Sequence, residues 1–137
     1  MALEIRVGDE TDEIGAPSFW NAWFSTISAR LEPNGWGTRY PIVMNNLYQG
    51  KLGNANAEQA LNELAEIAEK FKEFKPDQVV WDINDQSQRP PWGDDISSDI
   101  TDLSNYFVTS LGKDLFGVLV HFIERLKKNP NLELIIE

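Results

Sequence analysis

The chain has 137 residues, of which 42% are hydrophobic and 11% aromatic, with five Trp and seven Phe; this is enough apolar material to close one core and excludes a disordered chain, so a single domain spanning residues 1–137 is expected. Twenty-two acids against 12 bases leave a net charge of −10, which argues against nucleic acid as a direct ligand, because phosphate binding needs a positive surface. A basic partner is favoured, although acidity also serves solubility alone.

The absence of cysteine removes disulfides and thiolate metal sites and fits a reducing compartment. No basic stretch followed by an apolar run opens the chain, and no apolar run approaches the roughly 20 residues of a membrane span. A cytoplasmic protein without a membrane segment is expected.

In chain order, residues 3–7 (Leu-Glu-Ile-Arg-Val) alternate as a half-buried strand does, and Gly8 then leads into an acidic loop, Asp9 to Glu13. After Pro17, with Ser18 as candidate N-cap, Trp20, Phe24, Ile27 and Leu31 form one stripe of a helix that ends before Pro33-Asn34-Gly35. The aromatic and β-branched content of residues 36–44 predicts a strand, with Pro41 placing it at an edge or a strand start. Gly50 and Gly53 mark a turn, and from Asn56 the residues Ala60, Leu61, Leu64, Ala65, Ala68 and Phe71 predict an amphipathic helix.

Residues 78–83 read as a short central strand entering a polar loop from Asn84 to Gly93, and 94–102 as a short helical turn. Tyr106 to Ser110 reads as a strand, with Ser110 capping a third helix whose Leu115, Leu119, Phe122, Ile123 and Leu126 face inward. Leu132 to Ile136 closes the chain as a strand. The fold class expected is α+β: a mainly antiparallel sheet of about five strands with three main helices packed on it.

Catalytic constellations are scarce. The single histidine, His121, lies in a helix without a local nucleophile motif, where a structural role is the ordinary one. The run from Asp94 to Asp102 has closely spaced oxygen ligands but lacks the pattern of a calcium loop, and no glycine-rich phosphate cradle is present. Neither a metal nor another cofactor is expected. The Arg125-Leu126-Lys127-Lys128 cluster complements a helix C-terminus.

The distinctive stretch is 81–102, which carries a net −5 and contains Arg89-Pro90-Pro91-Trp92-Gly93. Asp82, Asp85, Asp94, Asp95, Asp99 and Asp102 would steer a cationic partner, with Trp92 as a desolvated anchor. The alternative is that Trp92 packs into the core and the aspartates cap a helix start.

Several segments together resemble the immunity protein 70 family of bacterial polymorphic toxin and contact-dependent growth inhibition systems. They are Trp36-Gly37-Thr38-Arg39-Tyr40-Pro41 with Met44, Glu63-Leu64-Ala65-Glu66-Ile67, Val80-Trp81-Asp82, Pro90-Pro91-Trp92-Gly93, and Ile100 through Thr109. The resemblance implies a non-enzymatic antitoxin that binds a cognate toxin domain, as a one-to-one heterodimer, and blocks its active site or substrate access. It also implies that Trp36, Trp81 and Trp92 are fold determinants while the surrounding aspartates, with Asp9 to Glu13, make the contacts. A basic nuclease is the toxin that an acidic inhibitor fits. Two other readings stay open: a small hydrolase using Asp82, Asp85 and Asp94, with or without a metal, and an acidic regulator of a nucleic-acid-binding protein.

Overall fold

The computed structural model describes residues 2–93 and 95–137. β1 (Leu3–Val7) and β2 (Glu10–Gly15) form an antiparallel hairpin. Gly8 is the first of its two turn residues, at φ 63°, the left-handed conformation that a two-residue hairpin turn demands and glycine adopts without cost. The acidic loop expected after Gly8 is therefore a strand. Its acids are tolerated there because cations from a distant helix meet them, as described below.

α1 (Pro17–Leu31) starts with Pro17 in its first turn and Ala16 at the N-cap; Ser18 lies inside the helix and does not cap it. β3 (Lys51–Gly53) replaces the turn expected around Gly50 and Gly53, and α2 (Ala57–Phe71) follows as its apolar stripe predicts. α3 (Leu115–Lys128) is capped by Asp114, whose carboxylate accepts the Gly117 N–H at 3.1 Å, and not by Ser110. β4 (Glu133–Ile136) ends the fold.

The sheet has the order β2-β1-β4-β3, antiparallel throughout. Ile5, Val7, Ile14, Leu52, Leu134 and Ile136 point to one buried face, while Glu4, Arg6, Lys51 and Glu133 are exposed, the alternation expected of an antiparallel sheet covered on one side. α3 packs on β1 and β4, and α2 packs on α3. The architecture is α+β, with four strands in place of about five.

Three segments predicted as strands are not strands: in two of them side chains take the backbone groups that a neighbouring strand would take, and in the third a local reversal takes them. In residues 36–44, Gly35 and Gly37 adopt φ 116° and 77°, and a π-helical turn, Ile42–Leu47, follows Pro41. The buried Glu32 carboxylate accepts the N–H groups of Gly37, Arg39 and Tyr40 at 3.0, 3.1 and 3.0 Å. The buried Glu63 carboxylate accepts those of Ile42 and Val43 at 3.3 and 2.8 Å, steadied by the Gln59 amide at 2.9 Å.

In residues 78–83 the Val80 N–H is donated to the Thr26 hydroxyl at 3.0 Å and the Ile83 N–H to the Ser25 hydroxyl at 3.1 Å, so this segment docks on α1 and not in the sheet. Residues 106–110 make a single bridge, Val108 with Asp114. The chain reverses at Gly112, φ 82°, and Thr109 donates to the Lys113 carbonyl at 2.7 Å.

Candidate functional site

Residues 79–110 connect α2 to α3 without a regular strand and with a single 3₁₀ residue span ending just before them at Gln78. Buried side chains hold this segment in place. Leu103 is fully buried and its N–H is donated to the Phe74 carbonyl at 3.0 Å. Trp81 and Trp92 meet edge to face, 5.3 Å apart at 86°, a favoured aromatic geometry. The Trp92 indole N–H is donated to the Tyr106 hydroxyl at 2.9 Å, which leaves Trp92 41% exposed. It is neither a core residue nor a free one: one edge is anchored and the rest faces solvent.

Asp82, Asp85 and Asp102 each shape a turn. The Asn84 N–H is donated to Asp82 at 2.9 Å, the Ser87 N–H to Asp85 at 3.2 Å and the Ser104 N–H to Asp102 at 2.8 Å, the local bond two residues on that makes aspartate a turn former. The Ser104 hydroxyl is also donated to Asp102. Asn105 ties the last of these loops together, its side-chain oxygen accepting the Thr101 N–H at 3.1 Å and its amide donated to the Asp99 carbonyl at 3.0 Å. No helical turn forms over the described residues 95–102; Asp94 lies outside the described residues.

The partners of these aspartates are neutral. The Ser87 hydroxyl and the Gln88 amide hold the Asp85 carboxyl below the usual aspartate range. At Asp102 partial burial works the other way, but the Ser104 hydroxyl and N–H outweigh it and the carboxyl is again lowered. Among the described residues, Asp82, Asp85, Asp95, Asp99 and Asp102 form no ion pair. The hairpin acids differ. Asp9 pairs with Arg125 at 3.0 Å, Glu10 with His121 at 2.7 Å and Asp12 with Lys113 at 2.7 Å, so these hairpin acids have partners on α3 and its approach, whereas Asp82, Asp85, Asp95, Asp99 and Asp102 have no ionic partner among the described residues. His121, the one histidine, is thereby a surface partner of Glu10.

A group whose carboxyl is lowered in the folded state stabilises the fold above the unfolded value, about pH 4, and loses that contribution as pH falls through the folded value. Asp102→Asn accordingly flattens the fall of stability as pH drops below about 4. Urea midpoints measured across that window check this; an unchanged slope would mean that the unfolded chain holds the carboxyl equally low.

Two grooves flank the 93–101 stretch and share Ile96 and Tyr106 in their walls. The larger, about 750 Å³, is lined by Lys75, Asp77, Val79 and Arg89. The smaller, about 260 Å³, has an apolar wall of Phe19, Trp92, Ile100 and Val108 with Asp95 on its edge. Of the expected contact residues, Trp92 and Asp95 line this groove, and Asp99 sits between its lining residues Ser97 and Ile100. Asp82, Asp85 and Asp102 occupy turns of the same segment outside its lining. Phe19 and Val108 belong to distant parts of the chain, and no local pattern pairs them with Trp92.

Among the described residues no three His, Asp or Glu side chains are placed to hold a metal ion, and no helix is long and apolar enough to cross a membrane. Asp82 and Asp85 each bend an exposed turn of their own. Comparison with characterised proteins and with solved structures finds no match to the chain. The family model of immunity protein 70, in contrast, matches residues 5–135, which takes in the buried-carboxylate scaffold and the whole acidic segment, so the chain belongs to the immunity protein 70 family.

Proposed function

We propose that this protein is the immunity partner of a bacterial toxin, binding the toxin domain one to one in the cytoplasm and blocking its active site or its access to substrate. The reading extends to the toxin's chemistry: a nuclease of a polymorphic or contact-dependent inhibition system, whose basic substrate groove the acidic segment occupies in place of a phosphate backbone. The observation that carries it is the row of aspartates at 82, 85, 95, 99 and 102, without an ion pair among the described residues. Surface carboxylates left uncompensated over one segment create a field that accelerates encounter with a cationic protein by about 10- to 1000-fold at low salt.

Co-expression with the toxin domain encoded beside it tests the proposal. The expected result is a stable complex and restored growth of cells that the toxin alone kills. Purified toxin should degrade DNA or RNA, and a molar equivalent of this protein should abolish that degradation. Failure to bind or protect overturns the immunity reading; binding to a toxin that leaves nucleic acid intact overturns only the nuclease assignment.

A further inference from the structure

Three of the five large exposed apolar side chains among the described residues, Trp92, Val108 and Leu111, lie in the 81–114 region. Trp92 and Val108 line the smaller groove; Leu111, 60% exposed, sits on the reversal between Val108 and Asp114. That reversal lies beside Phe19, since a Cβ placed on Gly15 would meet Phe19 at 3.6 Å and the Ser110 backbone at 3.7 Å. It is fixed to the hairpin by the Ser110 N–H donated to the Ile14 carbonyl at 3.1 Å and by the Ser110 hydroxyl donated to Glu13. The apolar groove therefore has one wall on a pinned reversal and the other on the Trp92–Tyr106 pair.

Its volume, about 260 Å³, falls below the roughly 300 Å³ at which small-molecule pockets begin, and suits one inserted side chain. Asp95 lines it and Asp99 lies between its lining residues Ser97 and Ile100 in the chain, and among the described residues neither forms an ion pair. Apolar floor and anionic rim together select the occupant by charge complementarity. A second copy of this chain would bring two acidic rims together, which opposes pairing.

The geometry points to this groove as the seat of the toxin's anchor: one apolar side chain, flanked by lysine or arginine, inserted between Trp92, Ile100 and Val108 while its cationic neighbours meet Asp95 and Asp99. The inference rests on the immunity reading. It narrows that reading to one face and one partner chemistry, a desolvated apolar anchor inside a charged rim.

The experiment uses the toxin domain recovered by co-expression and measures association and dissociation rates at low and high salt against four forms of this protein. Val108→Arg, which puts a cation and bulk in the groove without touching the backbone bridge, should weaken binding by about 30-fold, chiefly through faster dissociation. Asp95→Lys/Asp99→Lys should slow association by about 10-fold at low salt, with the difference shrinking at high salt. Glu4→Lys/Glu133→Lys makes the same change in net charge on the exposed sheet face and should leave both rates within about 2-fold of wild type.

Both groove variants behaving as wild type, or all charge variants behaving alike, would overturn the groove while leaving the immunity reading intact. Self-association of the protein alone that Val108→Arg abolishes would also overturn it, by assigning the groove to a second copy. No binding by the wild type sinks both. If Val108→Arg does not fold, the two double variants decide the question alone.

Discussion

Replacing Glu32 with alanine is expected to cost about 3 kcal/mol or more of stability, with urea unfolding as the measurement. Glu32 is 3% exposed, and its two oxygens serve three backbone donors, Gly37, Arg39 and Tyr40. Hydrogen bonds to a charged acceptor contribute about 1.5–3 kcal/mol each, and a buried donor left without a partner costs about 1–3 kcal/mol. Truncation orphans three donors together with the cavity left by the side chain, and the exposed rim of the 36–41 turn lets water recover part of the loss. Glu32→Gln should fall between: one oxygen still accepts, but the amide NH₂ faces an N–H that it cannot bond. A loss below about 1 kcal/mol for the alanine variant would show that the turn finds other acceptors. The same device recurs at Glu63, so the tryptophan-containing turn and the π-helical turn after it hang on two internal carboxylates.

Those two carboxylates also explain which parts of the fold are legible in the sequence. The helices are, because Leu64, Ile67 and Phe71, or Leu119, Phe122 and Leu126, repeat at helical spacing and burial is what that spacing reports. β1 and β4 are legible by alternation and β-branched content. Residues 36–44, 78–83 and 106–110 share that content, yet content says only that a chain runs extended. It does not say where its N–H groups go. Here they go to Glu32 and Glu63, to the hydroxyls of Thr26 and Ser25, and to a local reversal. β2 was hidden for the opposite reason. Its acids read as a solvated loop, and the partners that make them compatible with a strand, Lys113, His121 and Arg125, are about a hundred residues away in the chain.

The candidate site divides along similar lines. Aspartates at 82, 85 and 102 each precede Asn or Ser by two positions, a spacing that announces local turns, and the structure uses them that way. Turn formation occupies their oxygens with neutral donors and leaves the charge facing outward, so the structural role and the electrostatic one do not compete. What the chain order conceals is the wall opposite Trp92, since Phe19 comes from the first turn of α1 and Val108 from the approach to α3.

Phe107→Ala is the substitution expected to link the core to that site. The ring is fully buried, 6.0 Å from Phe19, 6.1 Å from Phe71 and 5.1 Å from Tyr106, and the Phe107 carbonyl accepts the Leu115 N–H at 3.0 Å, which ties the reversal to the start of α3. Removing the ring should cost about 3–5 kcal/mol from lost burial and the cavity left behind. The cavity opens directly behind two groove residues, Phe19 and Tyr106, so in molecules that remain folded the walls lose their backing and a seated anchor leaves faster. Leu64→Ala, in α2 and also buried, removes core contacts without touching either wall and should cost about 2–5 kcal/mol with no change in the dissociation rate of the toxin complex. Measuring both variants below their unfolding temperatures separates the effects: equal dissociation rates would confine Phe107 to stability, whereas faster dissociation in Phe107→Ala alone follows if packing beneath the groove sets how firmly it holds its partner.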